Sequence, residues 1–139
     1  MNALFADTGY FIALLNPGDQ LHSQAIRLTQ TLTRQTILTS ELILIELLND
    51  FSDRGAFFRH TAGQFVNQLQ TSRSTQVIHV DSHLFENALT LYNQRSDKAW
   101  SLTDCSSFLI MSHYGITDAI AHDKHFIQAG FRALLKIEK

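Results

Sequence analysis

The sequence has very little cysteine and no excess of positive charge, and each shortage excludes a class of protein. Cys105 is the only cysteine among 139 residues, so the chain forms no internal disulfide and no metal site built on several thiolates. The formal net charge of −2 argues against a protein that coats nucleic acid through many Lys and Arg residues. A nuclease stays compatible with this charge if a metal ion supplies the missing positive charge.

Targeting segments, long apolar runs and flexible linkers are also missing from the sequence. The N-terminus has no basic stretch followed by an apolar run, and no uncharged apolar segment approaches membrane-spanning length. We therefore expect a cytoplasmic protein without a membrane segment. Apolar residues make up 45% of the chain and no Gly/Ser-rich stretch marks a linker, so we expect a single domain over residues 1–139.

Short apolar runs alternate with longer segments in which apolar residues recur at helical spacing. The short runs predict strands at Ala3–Ala6, Ile37–Thr39, Val77–Val80, Ala119–Ala121 and Ala133–Leu135. The longer segments predict helices at Thr8–Leu15, Leu21–Arg34, Glu41–Asp53, Phe57–Gln70, Ser82–Gln94 and Leu102–Tyr114. This alternation favours an α/β sandwich with a mainly parallel sheet of about five strands, in which ligands bind at the carboxyl ends of the strands.

Four acidic residues lie at positions where such a fold brings side chains together. Asp7 and Asp123 each end a predicted strand, Asp104 lies in the first turn of a predicted helix, and Glu46 interrupts the longest apolar run. Carboxylates packed closely repel one another and raise their own pKa values unless cations intervene. Mg²⁺ or Mn²⁺ would relieve that repulsion and would also activate water for phosphodiester hydrolysis.

Each acid also has an ordinary structural alternative. Asp7 suits the N-cap of the following helix, and Asp123 suits a turn. Asp104 lies three residues after Ser101, the spacing of a capping box. For Glu46, the alternatives are a helix that turns the side chain to water or a cationic partner in the core. The two candidate partners for Glu46 are Arg27 and Arg54.

The order of these acids and their surroundings resembles the PIN-domain ribonucleases, especially the VapC-like toxins of bacterial toxin–antitoxin pairs. The resemblance covers nearly the whole chain and is carried by four segments, Phe5 to His22, Leu38 to Glu46, Trp100 to Phe108 and Ala121 to Phe131. One departure is Gly9, because many relatives have Ser or Asn at that position. The last two segments are the most specific.

The resemblance implies a PIN-like three-layer α/β/α sandwich and a metal-dependent endoribonuclease that hydrolyses RNA phosphodiester bonds. It assigns both metal binding and catalysis to Asp7, Glu46, Asp104 and Asp123, with Mg²⁺ or Mn²⁺ as the cofactor. It also implies a cognate antitoxin protein as a partner and a homodimer. The ten Phe residues of the chain, more than one core needs, favour the homodimer as well.

Five further residues are candidates for supporting roles. Thr8 and Ser101 are expected to hydrogen-bond a water, a phosphate oxygen or a carboxylate of the site, with Ser101 the stronger candidate because it lies one turn from Asp104. Arg95, Lys98 and Lys124 are candidates for holding flanking phosphates, and the alternative is that they are ordinary surface charges.

Other functions fit the sequence less well. His122 and His125 beside Asp123 suggest zinc, although no further His lies at a supporting spacing, and His125 also suits simple packing beside the site. Cys105 follows an acid, which disfavours its thiolate, so we expect a buried structural thiol. A phosphotransferase with Asp7 as its nucleophile would leave Glu46 unexplained. The main alternative is a catalytically silent PIN-like module that binds protein or RNA.

Overall fold

The computed structural model describes residues 3–136, which form five strands and seven helices. The strands are β1 (Ala3–Ala6), β2 (Thr36–Ser40), β3 (Thr75–Ile78), β4 (Asp118–Ile120) and β5 (Arg132–Ala133). The helices are α1 (Thr8–Leu15), α2 (His22–Thr31), α3 (Glu41–Phe51), α4 (Ala56–Thr71), α5 (Ser82–Gln94), α6 (Leu102–Tyr114) and α7 (Lys124–Gln128).

The five strands form one parallel sheet in the order β3-β2-β1-β4-β5. The chain adds β2 and β3 on one side of β1, then returns past β1 to add β4 and β5 on the other side. Because crossovers between parallel strands are right-handed, α1 to α4 cover one face of the sheet and α5 to α7 the other. The predicted three-layer α/β/α sandwich with a parallel sheet is therefore confirmed.

Element boundaries differ from the predictions where backbone pairing, rather than an apolar run, sets the ends. Strand β3 begins two residues before the predicted Val77–Val80, since Thr75 and Gln76 pair with Ile37 and Leu38 of β2. Strand β5 covers Arg132–Ala133 rather than Ala133–Leu135. Helix α7 was not predicted, because five residues are too few to show helical periodicity.

The core lies on both faces of the sheet and is rich in aromatic side chains. Phe5, Phe11 and Phe51 are fully buried or nearly so. On the other face, the ring of Phe108 packs edge-on against Trp100 and Phe126, with centroids 5.0 and 5.1 Å away. This cluster packs α6, which carries Asp104, against α7, whose N-cap residue is Asp123.

Residues 3–136 include no helix that is both long and apolar enough to cross a membrane.

A buried hydroxyl ties the end of β1 to its neighbour just before Asp7. Thr39 on β2 is fully buried, and its Oγ1 donates a 3.0 Å hydrogen bond to the carbonyl oxygen of Ala6. We expect Thr39→Val, which keeps the shape and removes the donor, to lower the free energy of unfolding by about 1 kcal/mol. Urea unfolding measures this. The control Thr36→Val, at the start of the same strand, should change the free energy of unfolding less. Equal losses in the two variants would show that the Thr39 hydrogen bond to Ala6 does not contribute specifically.

Candidate active site

A cleft of about 790 Å³ opens at the carboxyl ends of β1 and β4. The strand order changes direction between β1 and β4, and ligands usually bind at this point in parallel α/β sheets. The Asp7 amide, just after β1, donates a 3.2 Å hydrogen bond to the Ile120 carbonyl oxygen of β4. The cleft is lined by all four predicted acids, by both predicted supporting residues and by one predicted phosphate-binding residue. These are Asp7, Glu46, Asp104, Asp123, Thr8, Ser101 and Lys124.

Asp7 follows β1 and occupies the N-cap position of α1 without making a capping hydrogen bond. Its pKa is raised to about 7, chiefly because burial disfavours the charged form. The backbone amide of Thr8 opposes this shift, whereas the negative charges of Asp104, Glu46 and Asp123 add to it. The Asp7 carboxyl is therefore sensitive both to its burial and to the negative charge of the other three acids.

Glu46 lies in the second turn of α3, half-buried at the border between the core and solvent. Its neighbours Ile43 and Leu47 are buried, whereas Ile45 is 51% exposed, so the apolar run does not enclose the carboxylate. The hydroxyl of Thr8 donates a 2.6 Å hydrogen bond to Glu46 Oε1. The candidate partner Arg54 pairs instead with Asp50, at 2.8 Å.

Asp104 is buried in the first turn of α6 and completes a capping box with Ser101. The Asp104 amide donates to Ser101 Oγ, and the Ser101 amide donates to Asp104 Oδ2, both at 3.0 Å. His125 Nδ1 also lies 2.9 Å from Oδ2. The capping alternative for Asp104 is thus present together with its position in the cleft.

Asp123 follows β4 and caps α7, where its Oδ1 accepts a 2.9 Å hydrogen bond from the His125 amide. Its Oδ2 lies 3.3 Å from His125 Nδ1, so one imidazole connects Asp104 and Asp123. These three residues each offer a metal-ligand atom, and the atoms lie within 4.8 Å of one another. Among residues 3–136 this cluster contains one His rather than two, because His122 Nδ1 faces the Leu135 carbonyl at 3.3 Å.

The remaining candidates lie outside the centre of the cleft. Lys124 is exposed at the rim, whereas Arg95 and Lys98 line a neighbouring pocket. The Cys105 thiol is buried beside Asp104, and both burial and that negative charge raise its pKa. The expected buried structural thiol is consistent with this environment.

Comparison with known proteins identifies the family. The chain is 31% identical over 128 residues to the 23S rRNA-specific endonuclease VapC20 of Mycobacterium tuberculosis, in strains CDC 1551 / Oshkosh and ATCC 25618 / H37Rv. The match covers 92% of this chain and 95% of the relative. This chain belongs to the VapC family of PIN-domain endoribonuclease toxins. No protein-family model matches it.

The fold agrees with this VapC assignment. The crystal structure of Mycobacterium tuberculosis VapC20, described as a toxin that cleaves the sarcin-ricin loop, superposes on this chain with a TM-score of 0.85 at 29% identity. The superposition covers 95% of this chain and 98% of the VapC20 chain. The resemblance to VapC-like ribonucleases in the sequence is therefore confirmed.

Two further residues, His125 and Asp19, line the cleft and are not among the predicted site residues. His125 was expected at most to pack nearby or join a zinc site, yet it bridges two acids. Its position two residues after the N-cap residue Asp123 indicates only that its backbone amide can reach that carboxylate, and the contact of its imidazole with Asp104 has no signal in the sequence. Asp19, in the turn between α1 and α2, accepts a 2.9 Å hydrogen bond from the Leu21 amide and lines the cleft.

The raised pKa of Asp7 predicts how stability depends on pH. Asp7 has a folded-state pKa of about 7 and an ordinary value of 3.8, so the folded protein binds more protons than the unfolded chain between these values. Stability should fall as pH rises through that window, by up to a few kcal/mol, and the loss is complete above about pH 7. In EDTA, Asp7→Asn should remove this slope and exceed the wild type in stability at pH 8.

Urea unfolding at pH 5 and pH 8 measures the slope. Asp118→Asn is the matched control, because its pKa is lowered by the guanidinium of Arg132 and it does not titrate in this range. It should reduce stability overall and keep the wild-type slope. A slope unchanged in Asp7→Asn would show that the Asp7 carboxyl is well solvated.

Proposed function

We propose that this chain cleaves RNA with Mg²⁺ or Mn²⁺ held by Asp7, Glu46, Asp104 and Asp123. The observation that carries the proposal is the convergence of four carboxylates on one cleft, with the pKa of Asp7 raised to about 7 by burial and by its acidic neighbours. A divalent cation offsets such crowding, and oxygen-rich sites suit Mg²⁺ and Mn²⁺. When bound, the cation would lower the pKa of a water and stabilise negative charge on the phosphate.

The chain's own residues prepare this site. The Thr8 hydroxyl orients the Glu46 carboxylate, and the Ser101 amide and His125 imidazole orient that of Asp104. Within residues 3–136, the Ser101 amide and the His125 imidazole both contact Oδ2 of the Asp104 carboxylate. Oδ1 is therefore the oxygen available to bind a metal ion. The exposed Lys124 lies at the rim of the cleft, where its ammonium group can hold a phosphate of the RNA.

The relative named above supports ribosomal RNA as the substrate. VapC20 is named as a 23S rRNA-specific endonuclease, and the similarity extends over almost the whole of both chains. We therefore propose 23S rRNA as the first substrate to test. The catalytically silent alternative predicts binding without cleavage, and the full set of acids favours the active enzyme.

Cleavage of bacterial ribosomes and of a mixed RNA pool tests the proposal directly. Pure protein should cut RNA with Mg²⁺ or Mn²⁺ and not in EDTA. Glu46→Gln should lower the rate by on the order of a hundred-fold or more, because it removes a ligand charge while leaving an acceptor for Thr8.

Glu41→Gln is the matched control, because Glu41 lies on the same helix, outside the cleft, where it accepts a 2.8 Å hydrogen bond from the Val80 amide. It should cleave at the wild-type rate. Cleavage that persists in EDTA or in Glu46→Gln would contradict the metal assignment. RNA binding without any cleavage by the wild type would favour the silent alternative.

The partners implied by this assignment are an antitoxin protein and a second copy of the chain. The homodimer is supported by large apolar side chains exposed on α3 and at the start of α4, namely Ile45 at 51%, Leu48 at 37% and Phe57 at 75%. Isolated monomers seldom leave such a group of side chains in water.

Sedimentation at micromolar concentration tests the homodimer. The wild type should sediment as a dimer and Phe57→Asp as a monomer, because a charge in an apolar interface is left without a partner. Ile127→Asp, which changes another exposed apolar side chain, 60% exposed on α7, should remain dimeric. A monomeric wild type would refute the proposal.

A further inference from the structure

A second pocket, which we call the flanking pocket, adjoins the cleft between the end of α5 and the start of α6. Its volume is about 480 Å³, within the range that takes small ligands. It is lined by Tyr92, Asn93, Arg95, Ser96, Lys98, Ala99, Trp100 and Ser101. Ala99 and Ser101 line both the flanking pocket and the cleft, so a polymer bound in the cleft can continue directly into this pocket.

Two contacts orient the guanidinium plane of Arg95 in this pocket. Its Nε and Nη2 donate to the two carboxylate oxygens of Asp97 at 2.9 and 3.0 Å, and its guanidinium carbon lies 4.8 Å from the centre of the Trp100 ring. Trp100 is itself buried and donates a 3.1 Å hydrogen bond to Gln128 Oε1. The side chain of Arg95 is still 39% exposed, so part of its plane is accessible.

These contacts change what Arg95 can contribute to RNA binding. Its charge is balanced by Asp97, and two of its donor groups are already occupied, which makes it a poor phosphate clamp. A guanidinium plane held in this way is instead a good surface for stacking a nucleobase. Lys98 differs, because its charge helps to lower the pKa of the nearby Asp97 carboxyl but it forms no direct ion pair with a carboxylate of residues 3–136, so its ammonium group can contact a phosphate.

Tyr92 supplies an aromatic wall to the same pocket. Its side chain is 49% exposed and lies one turn before Arg95 on the final part of α5. Exposed aromatic rings beside a cation are the usual means of holding single-stranded nucleic acid, because every base has a face that stacks.

We propose that the flanking pocket binds one unpaired nucleotide of the RNA, next to the phosphate cleaved in the active site. Its base stacks on the guanidinium plane of Arg95 beside Tyr92, and its phosphate is held by Lys98. The proposal rests on the ribonuclease function proposed above. It predicts that the enzyme prefers RNA in which the nucleotide next to the cleaved phosphate is not base-paired.

Binding to a short labelled single-stranded RNA, measured by fluorescence anisotropy in the Asp7→Asn background, tests the pocket without cleavage. Arg95→Lys keeps the charge and loses the plane, so we expect affinity to fall about five-fold or more, as much as in Arg95→Ala. Arg54→Lys is the matched control, because Arg54 pairs with Asp50, lies over the Phe51 ring at 5.3 Å and is also 39% exposed, but lies outside both pockets.

The salt dependence of binding separates stacking from phosphate contact. Lys98→Gln should reduce the slope of log affinity against log salt concentration by about one, whereas Arg95→Lys should leave that slope unchanged. Tyr92→Ala should weaken binding, while Phe85→Ala, which removes an exposed aromatic ring from α5 outside the pocket, should not.

Full affinity in Arg95→Lys, or equal losses in Arg95→Lys and Arg54→Lys, would overturn the stacking assignment. Cleavage by the protein with an intact Asp7 is measured in parallel. If cleavage fails while the anisotropy pattern holds, the proposed catalytic function is wrong and the nucleotide pocket stands. If cleavage occurs and the anisotropy pattern is absent, only the pocket is wrong.

Discussion

Crowding of negative charge at the carboxyl ends of β1 and β4 is the constraint on which the rest of this structure depends. Burial, together with the negative charges of the other three acids, raises the pKa of Asp7 to about 7, and all four carboxylates line the same cleft. The fold could relieve this repulsion by letting the side chains turn toward water. Instead, the aromatic cluster around Phe108 and the hydrogen bonds of Thr8 and His125 hold the acids in place. Carboxylates held close together in this way support the proposal that the cleft binds a cation.

Three of the four acids lie at the start of a helix, which lessens the repulsion. Asp7 and Asp123 are the N-cap residues of α1 and α7, and Asp104 lies in the first turn of α6. The backbone N–H groups at these helix ends carry partial positive charge, so three helices present their favourable ends to one acidic cleft. Glu46 lies within α3 instead and has the Thr8 hydroxyl as its compensation. Structural capping and metal binding are therefore compatible roles of the same carboxylates.

The sequence was sufficient to predict the fold and the convergence of the four acids on one cleft, because both depend on local patterns that survive without tertiary information. The apolar runs at 3–6 and 119–121 nearly match β1 and β4. Acids that follow neighbouring parallel strands lie close together, because the carboxyl ends of those strands lie at the same edge of the sheet. The role of His125 could not be predicted in this way. It depends on the distance between α7 and α6, which is set by packing of Phe126 against Phe108 and leaves no periodic trace in the sequence.

The segment between α5 and α6 lines both the cleft and the flanking pocket. Ser101 caps α6 and, through the same capping box, fixes Asp104, while its neighbour Trp100 supports the Arg95 guanidinium. One rigid segment thus positions both a candidate metal ligand and a candidate base-stacking surface. Because cleavage requires the phosphate and the acids to be aligned within a fraction of an ångström, a contact that fixes the neighbouring nucleotide on this segment also fixes the scissile phosphate. Selectivity for unpaired RNA and efficient cleavage would then arise from the same short piece of chain.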